Sequence, residues 1–239
     1  MSLGPKNKAK DLEITMSNVK IRCGSELKLL GLIIDQNLDF SKHVSELCKR
    51  TARKVGVLTR LRNILPIKAK LIIYKSMVLP QLTYCHTVWN FCRSSDSRKL
   101  ERIQERALKA IYNRKSGTYD EFLEMAKLPT LKNRRLQDIA ILMYKVKNGL
   151  CPLYIKEIFQ NNNNCNYNLR NSLDFSIPRF NTVTYGKHSL RYLGPVLWAK
   201  LDKKVKNAET LRTFKIIIRK VDLVRLMEDN CKNCVLCSG

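Results

Sequence analysis

Residues 41–65 read SKHVSELCKRTARKVGVLTRLRNIL, and this stretch decides the fold class. Its apolar side chains recur at a spacing of 3.6 residues, which predicts an amphipathic α-helix. Ser41 is a residue type that caps a helix N-terminus, so the predicted helix runs from Ser41 to about Leu65. The inward-facing positions predicted by this stripe are Val44, Leu47, Cys48, Val55, Leu58 and Leu61.

Further helices follow from patterns of the same kind. Pro66 suits the first position of a second helix, and Pro80 is expected to kink or interrupt it. Asp96 is a good N-cap for a third helix. Gly149 can follow the C-terminus of a fourth helix. The fourth and last predicted helices span about Arg134 to Asn148 and about Glu209 to Leu223.

The remaining segments are predicted to be extended or irregular. Residues 13–34 alternate and carry turn residues, and the apolar run Leu27 to Ile34 predicts a buried strand. The run QNNNNC at 160–165 is the best linker, and the stretch after it, up to Gly194–Pro195, is expected to be irregular or weakly β. The predicted fold is mainly α, a helical bundle with a small N-terminal β-hairpin and a partly irregular C-terminal helical region.

The charge of the chain is its unusual property. Among 239 residues, 45 Lys and Arg stand against 20 Asp and Glu, a formal net charge of +25. Such an excess favours an anionic partner, with nucleic acid the first candidate and a membrane surface the second. No apolar run reaches membrane-spanning length, and the N-terminus has no secretory signal pattern. We therefore expect a soluble intracellular protein, nuclear or cytoplasmic, with no membrane partner.

The positive charge is concentrated in a stretch without carboxylates, between Glu46 and Asp96. Within the first helix, four cations fall within about 40° of each other on the face opposite the apolar stripe. A solvated helical face normally mixes both signs, so this pattern favours nucleic-acid binding over the alternative of a merely solvated surface. The candidate binding residues are Lys42, Lys49, Arg53 and Arg60 of the stripe, with Arg50, Lys54, Arg62 and Lys68 beside it.

Aromatic, histidine and cysteine side chains are the remaining candidates for a chemical role. Tyr74, Tyr84, Trp89 and Phe91 could stack on bases, but their helical spacing favours burial. The histidines His43, His86 and His188 lack partners for a triad and are expected to be structural. Cys231, Cys234 and Cys237 form a C-x-x-C-x-x-C pattern, which supplies three of the four ligands that a structural zinc site needs. We therefore assign no metal, no cofactor and no catalytic residue to this chain.

Several segments, taken in order, resemble non-LTR (LINE-like) retrotransposon reverse transcriptases. The first is the L-G-x-x-x-D pattern from Leu30 and Gly31 to Asp35, followed by Phe40 and His43 as aromatic-x-x-His. One segment departs, since Ala199-Lys200-Leu201-Asp202 stands where the family commonly has Asn and then Leu-Pro. The later matches are Tyr74, Pro80, Tyr84 to Trp89, Ile103-Gln104, Arg106-Ala107-Leu108, Leu128-Pro129, Arg134-Arg135, Pro152 to Ile155, Leu169-Arg170, Tyr185-Gly186-Lys187, Gly194-Pro195, Leu197-Trp198 and Phe214-Lys215.

The resemblance implies an organisation. Residues 1–36 correspond to a palm-end β-hairpin whose Leu30 and Gly31 resemble a primer grip, and residues 37–115 to thumb-like helices. A helical extension would follow at 116–160, a linker at 161–166, a C-terminal region at 167–225 and a Cys-bearing tail at 226–239.

The resemblance also implies a function, namely template-primer binding within an RNA-directed DNA polymerase. The family's polymerisation uses two metal ions held by palm aspartates, including an Asp-Asp pair, and this chain has no Asp-Asp dipeptide. The chain is thus expected to be truncated, to catalyse nothing alone, and to meet Mg²⁺ only with the missing palm. Its expected partners are RNA, RNA–DNA hybrid and the missing palm region of the same polyprotein. The alternatives are a structural interaction fragment and a domesticated, non-enzymatic nucleic-acid-binding protein.

Overall fold

The computed structural model describes residues 14–17, 19–21, 24–114, 116–159 and 174–228. They fall into two compact units, residues 1–131 and residues 132–239. Most of the described residues are helical, and the prediction of a mainly α fold with a small N-terminal β component is confirmed. The linker predicted at 161–166 and the tail cysteines Cys231, Cys234 and Cys237 lie outside the described residues.

The first unit begins with two antiparallel hairpins. Strands β1 (Ile14–Met16) and β2 (Val19–Ile21) form one, and β3 (Glu26–Leu29) and β4 (Leu32–Asp35) form the other. The single strand predicted over 27–34 is therefore wrong. The chain reverses at Leu30 and Gly31, both at positive φ (47° and 86°), and glycine adopts this left-handed region without steric cost. As a result, β4 is largely buried and β3 is exposed.

The helices of the first unit follow in close succession. Helix α1 ends at Arg60 and tightens into a 3₁₀ turn, so the predicted end at Leu65 is wrong. Pro80 lies near the start of α3, directly after a π-helical turn, which agrees with the expected interruption. The bounds are α1 Ser41–Arg60, the 3₁₀ turn Leu61–Asn63, α2 Ile67–Ile73, the π turn Tyr74–Val78, α3 Leu79–Thr83, α4 Ser94–Tyr112 and α5 Tyr119–Ala126.

Two predicted N-caps are also wrong, and the same contact explains both. The residue before α1 is Phe40, and α4 begins at Ser94, two residues before Asp96. The Ser41 hydroxyl donates a hydrogen bond of 2.6 Å to the Asp96 carboxylate, which is almost fully buried. These two polar side chains therefore join the N-terminal ends of α1 and α4 instead of capping their own helices.

The core of the first unit lies between α1 and α4. Val44, Val55 and Leu58 of α1 are fully buried in it. Tyr74 and Trp89 are fully buried as predicted, and each finds a partner for its polar atom. The burial expected for Tyr84 is wrong, because its side chain is half exposed. The Tyr74 hydroxyl lies 2.8 Å from Gln104 Oε1, and Trp89 Nε1–H donates to the Tyr84 carbonyl at 3.0 Å.

The second unit is helical as well. Gly149, at φ 67°, follows the helix Leu131–Lys147, and Leu150 N–H bonds to the Lys145 carbonyl at 2.8 Å, which confirms the predicted C-terminal stop. Tyr144 and Phe214 stack in the core with ring centroids 4.4 Å apart. The elements are α6 Leu131–Lys147 (starting on the last residue of the first unit), α7 Leu153–Ile158, a π turn Val183–Lys187, α8 Leu190–Lys200, α9 Lys203–Lys206, α10 Leu211–Ile218 and α11 Leu223–Glu228.

Two expectations for this unit are wrong. Gly194 and Pro195 lie inside α8, not in an irregular segment. A Cβ on Gly194 would stand 2.6 Å from Met143 Sδ, so glycine at this position permits the close packing of α8. The single helix predicted over Glu209 to Leu223 is broken into α10 and α11. A turn at 219–222 separates them.

Candidate nucleic-acid interface

Helix α1 is held firmly on one side. Its apolar stripe is buried against α4, and polar contacts fix its N-terminal end. Arg93 pairs with Asp39 at 2.7 Å just before the helix, and Lys99 pairs at 2.7 Å with the same Asp96 that accepts from Ser41. The opposite face of α1 is therefore presented to solvent on a rigid support.

Three cations of the predicted stripe lie on that outer face. Lys49, Arg53 and Arg60 are exposed, and none of them pairs with a carboxylate within the part of the chain that the structure describes. Arg62 of the 3₁₀ turn and Lys68 of α2 are exposed in the same way and continue the basic surface beyond α1. We call these five residues the α1–α2 basic surface.

Of the three other predicted residues, Lys42 and Lys54 differ from these five because each contacts another group of the first unit. Lys42 forms an ion pair with Glu26 of β3, and this hydrogen bond raises the pKa of Lys42. Lys54 donates from Nζ to the Met77 carbonyl at 3.2 Å. Arg50 is exposed. At 100° per residue the exposed Glu46 lies about 40° from Lys42, so the unopposed charge begins at Lys49.

The structure also shows residues that sequence reasoning missed. Lys70 belongs to the carboxylate-free stretch, yet it is only 2% exposed and donates from Nζ to the Arg62 carbonyl at 2.9 Å. It secures the 3₁₀ turn and is not available to a ligand. Conversely, Val57 and Ile64 are apolar and exposed beside the basic residues. Val57 lies about 60° from Arg60 around the helix, so the spacing could have revealed it.

The primer-grip-like residues lie at the tip of the second hairpin. Leu30 is 82% exposed, and its carbonyl accepts a hydrogen bond of 2.8 Å from the Tyr84 hydroxyl. Gly31 follows in the same turn. At the tip, the apolar side chain of Leu30 thus projects into solvent, while its backbone is held by Tyr84, 54 residues further along the chain.

Asp35 and His43 connect this hairpin to α1. The Asp35 carboxylate accepts backbone N–H groups from Asn37 at 2.9 Å and Phe40 at 2.8 Å, which turns the chain into the helix. His43 is buried, and its Nδ1 accepts the Ile33 N–H at 3.4 Å. Burial, followed by the charge of Arg50, lowers the pKa of His43, so its ring is neutral. His43 is therefore a structural residue, as predicted.

The described residues offer neither a metal site nor a membrane-spanning helix. Over the described ranges, no three His, Cys, Asp or Glu side chains come together in a way that could hold a metal ion. Within the same ranges, every helix is too short or too polar to cross a bilayer.

The sequence is similar to polymerases of mobile elements. It is 32% identical over 87 residues to a probable RNA-directed DNA polymerase from transposon X-element of Drosophila melanogaster, covering 35% of this chain and 10% of that protein. It is 30% identical over 101 residues to the RNA-directed DNA polymerase from mobile element jockey of the same species, covering 41% of this chain and 11% of that protein.

This chain is a distant, partial relative of RNA-directed DNA polymerases from mobile elements. A third relative is the jockey polymerase of Drosophila funebris, 29% identical over 101 residues, which are 41% of this chain and 11% of that protein. The matched segments thus span about a tenth of each of these relatives. No family model and no solved structure matches the chain.

Proposed function

We propose that the first unit binds the template-primer duplex of an RNA-directed DNA polymerase through the α1–α2 basic surface. The observation that carries the proposal is the row of exposed, carboxylate-free cations Lys49, Arg53 and Arg60 on a helix whose other face is buried. The similarity to polymerases of mobile elements supports this choice of nucleic acid.

The dimensions of α1 suit a duplex backbone. Its 20 residues extend about 30 Å, and the three cations recur at about one and two helical turns. Lys and Arg neutralise phosphates and release counterions, which supplies affinity without sequence choice. The minor groove of an A-form duplex is wide and shallow, so a helix can follow it and contact both phosphates and sugars. We therefore propose RNA or RNA–DNA hybrid as the ligand.

The hairpin β3–β4 has a proposed partner of its own. Leu27 and Leu29 of β3 are about half exposed, and Leu30 at the turn projects into solvent. Exposed apolar side chains on a strand edge are a liability unless another element covers them. We propose that the palm region of the polymerase covers them, which also makes the hairpin the connection between palm and helices.

The test of the duplex proposal is a charge-neutralising variant with a matched control. Lys49→Gln, Arg53→Gln and Arg60→Gln are combined in the full chain, and binding to a labelled RNA–DNA hybrid is measured by fluorescence anisotropy over a range of salt. Losing three phosphate contacts should flatten the slope of log K against log salt by about 2 to 3.

The control removes the same charge from another exposed face. Arg98, Arg102 and Arg106 of α4 are exposed at comparable helical spacing, and replacing all three by Gln should leave most of the slope intact. An equal effect of both triple variants would mean that diffuse net charge, not the α1–α2 basic surface, binds the duplex. Circular dichroism and the thermal midpoint check that both variants are folded.

A further inference from the structure

The positive charge of the chain is divided almost evenly between its two units. Residues 132–239 hold 20 Lys and Arg against eight Asp and Glu, so the second unit carries +12 of the total +25. The α1–α2 basic surface lies entirely in the first unit and cannot account for this half. Repulsion between like charges opposes the folding of the second unit, so its positive charge requires a separate explanation.

The charge of the second unit has a local maximum at α10. Between Glu209 and Asp222 there is no carboxylate, and four cations stand there. Phe214 and Ile218 of this helix are fully buried, whereas Arg212 on the helix and Arg219 and Lys220 in the turn that follows it are exposed. On the neighbouring helix α9, Lys203 and Lys204 are exposed as well. We call Arg212, Arg219, Lys220, Lys203 and Lys204 the α9–α10 basic surface.

These cations are distinct from the lysines that the second unit uses internally. Lys200 donates from Nζ to the Leu226 and Met227 carbonyls at 3.4 and 3.1 Å, and Lys206 donates to the Ala199 carbonyl at 3.2 Å. Burial lowers the pKa of Lys206, with Asp174 opposing this shift and Lys147 and Lys203 adding to it. By contrast, no ion pair occupies the cations of the α9–α10 basic surface within the described parts of the chain.

The turn that carries Arg219 and Lys220 is fixed by buried amide side chains of α6. Gln137 Nε2 donates to the Arg219 carbonyl at 3.3 Å and to the Val221 carbonyl at 3.2 Å. Asn133 donates to the same Val221 carbonyl at 3.3 Å and accepts the Leu223 N–H at 2.9 Å. Two buried polar residues thus hold the break between α10 and α11, and this preorganises the cations at the end of α10.

We propose that the α9–α10 basic surface is a second, independent binding site for the phosphate backbone of single-stranded RNA. A polyanion is favoured because the stretch from Arg212 to Lys220 offers exposed cations with no carboxylate between them. Ile216, about half exposed, is the one large apolar side chain on the outer face of α10, too little for insertion into a bilayer. Eight residues of α10 extend about 12 Å, enough to accompany a few nucleotides of one strand.

The experiment uses the full chain and two kinds of RNA probe, a single-stranded oligonucleotide and an RNA–DNA hybrid. Arg212→Gln, Arg219→Gln and Lys220→Gln are combined, alone and together with the triple variant of α1. Each lost contact to a single strand changes the slope of log K against log salt by about 0.7. With the single-stranded probe, the slope of the new variant should therefore be flatter by about 2. The same loss is expected in the background of the α1 variant.

A matched control removes three other exposed cations of the second unit, by Lys156→Gln, Arg179→Gln and Arg191→Gln. An equal loss in this control would overturn the proposal, because the binding would then be diffuse. An unchanged slope in the α10 variant would also overturn it while leaving the α1 proposal intact. If only the α10 variant loses affinity, the second site stands and the duplex proposal fails. Loss of binding to phosphatidylserine vesicles with RNA binding unchanged would reassign the surface to membranes.

Discussion

At the scale of single residues, buried and half-buried polar side chains of the first unit fix the start of α1. Asp96 joins the starts of α1 and α4, Asp35 turns the chain into α1, and His43 accepts a backbone N–H from β4. Each contact satisfies a polar group that would otherwise be costly to bury. The orientation of the basic helix therefore depends on side chains that are buried or half-buried.

His43 makes the stability of the first unit depend on pH. Burial holds the pKa of His43 below its ordinary value of 6.5, with Arg50 acting in the same direction and Glu46 opposing it. The unfolded chain thus binds a proton more readily, and stability rises with pH in this window. The contribution of neutral His43 to the free energy of unfolding is fully present above pH 6.5, the ordinary pKa of histidine. It is lost as the pH falls through the lower pKa of His43 in the folded protein.

We expect the urea midpoint of the first unit to fall between about pH 7.5 and about pH 5, and to fall less in His43→Asn. Asparagine keeps an acceptor for the Ile33 N–H and does not titrate. Burial also lowers the pKa of His188. This residue is present in both the original protein and His43→Asn, so comparing the two removes its contribution. An identical pH dependence in both would show that His43 is not the titrating group.

At the scale of elements, the ends of helices are decided by backbone conformation as much as by side chains. Helix α6 stops at Gly149 because that residue is at φ 67°, where a side chain is strained. Helix α1, by contrast, contains Gly56 in its interior, where glycine only adds flexibility to the unfolded chain. Neither glycine has a neighbouring atom within 4 Å of an added Cβ.

The same substitution should therefore have opposite effects at these two positions. Gly56→Ala is expected to stabilise the first unit by about 0.5–1 kcal/mol through helix propensity. Gly149→Ala is expected to destabilise the second unit by about 1 kcal/mol, because alanine must adopt the left-handed conformation. Urea unfolding followed by circular dichroism measures both. Effects of the same sign would contradict the assigned backbone conformations.

At the scale of the whole molecule, charge dominates behaviour. The two proposed basic surfaces together offer Lys49, Arg53, Arg60, Arg62 and Lys68 in the first unit, and five cations in the second. If all of them engage phosphates, affinity for RNA should fall by roughly 10³–10⁵ between about 50 and 200 mM salt. Filter binding at several salt concentrations, with two unrelated RNA sequences of equal length, checks this. A strong preference for one sequence would show that base contacts, not phosphates, govern recognition.

Local patterns in the sequence were enough to predict the mainly α fold, the position of α1, the stop at Gly149 and the burial of Tyr74 and Trp89. These features depend on spacing within a few turns, where periodicity and residue type act directly. The stripe of cations on α1 was visible for the same reason. Whether it binds nucleic acid remains a proposal.

Only the tertiary structure decided which polar and charged groups are free. Lys42 and Lys70 look alike in sequence, yet one pairs with Glu26 and the other is buried against the Arg62 carbonyl. The reversal at Leu30 and Gly31, the helical environment of Gly194 and the break after α10 were likewise hidden. Each depends on a contact with residues far along the chain, such as Tyr84, Met143 or Gln137. A local pattern carries no information about such partners, because folding brings them together only when the core forms.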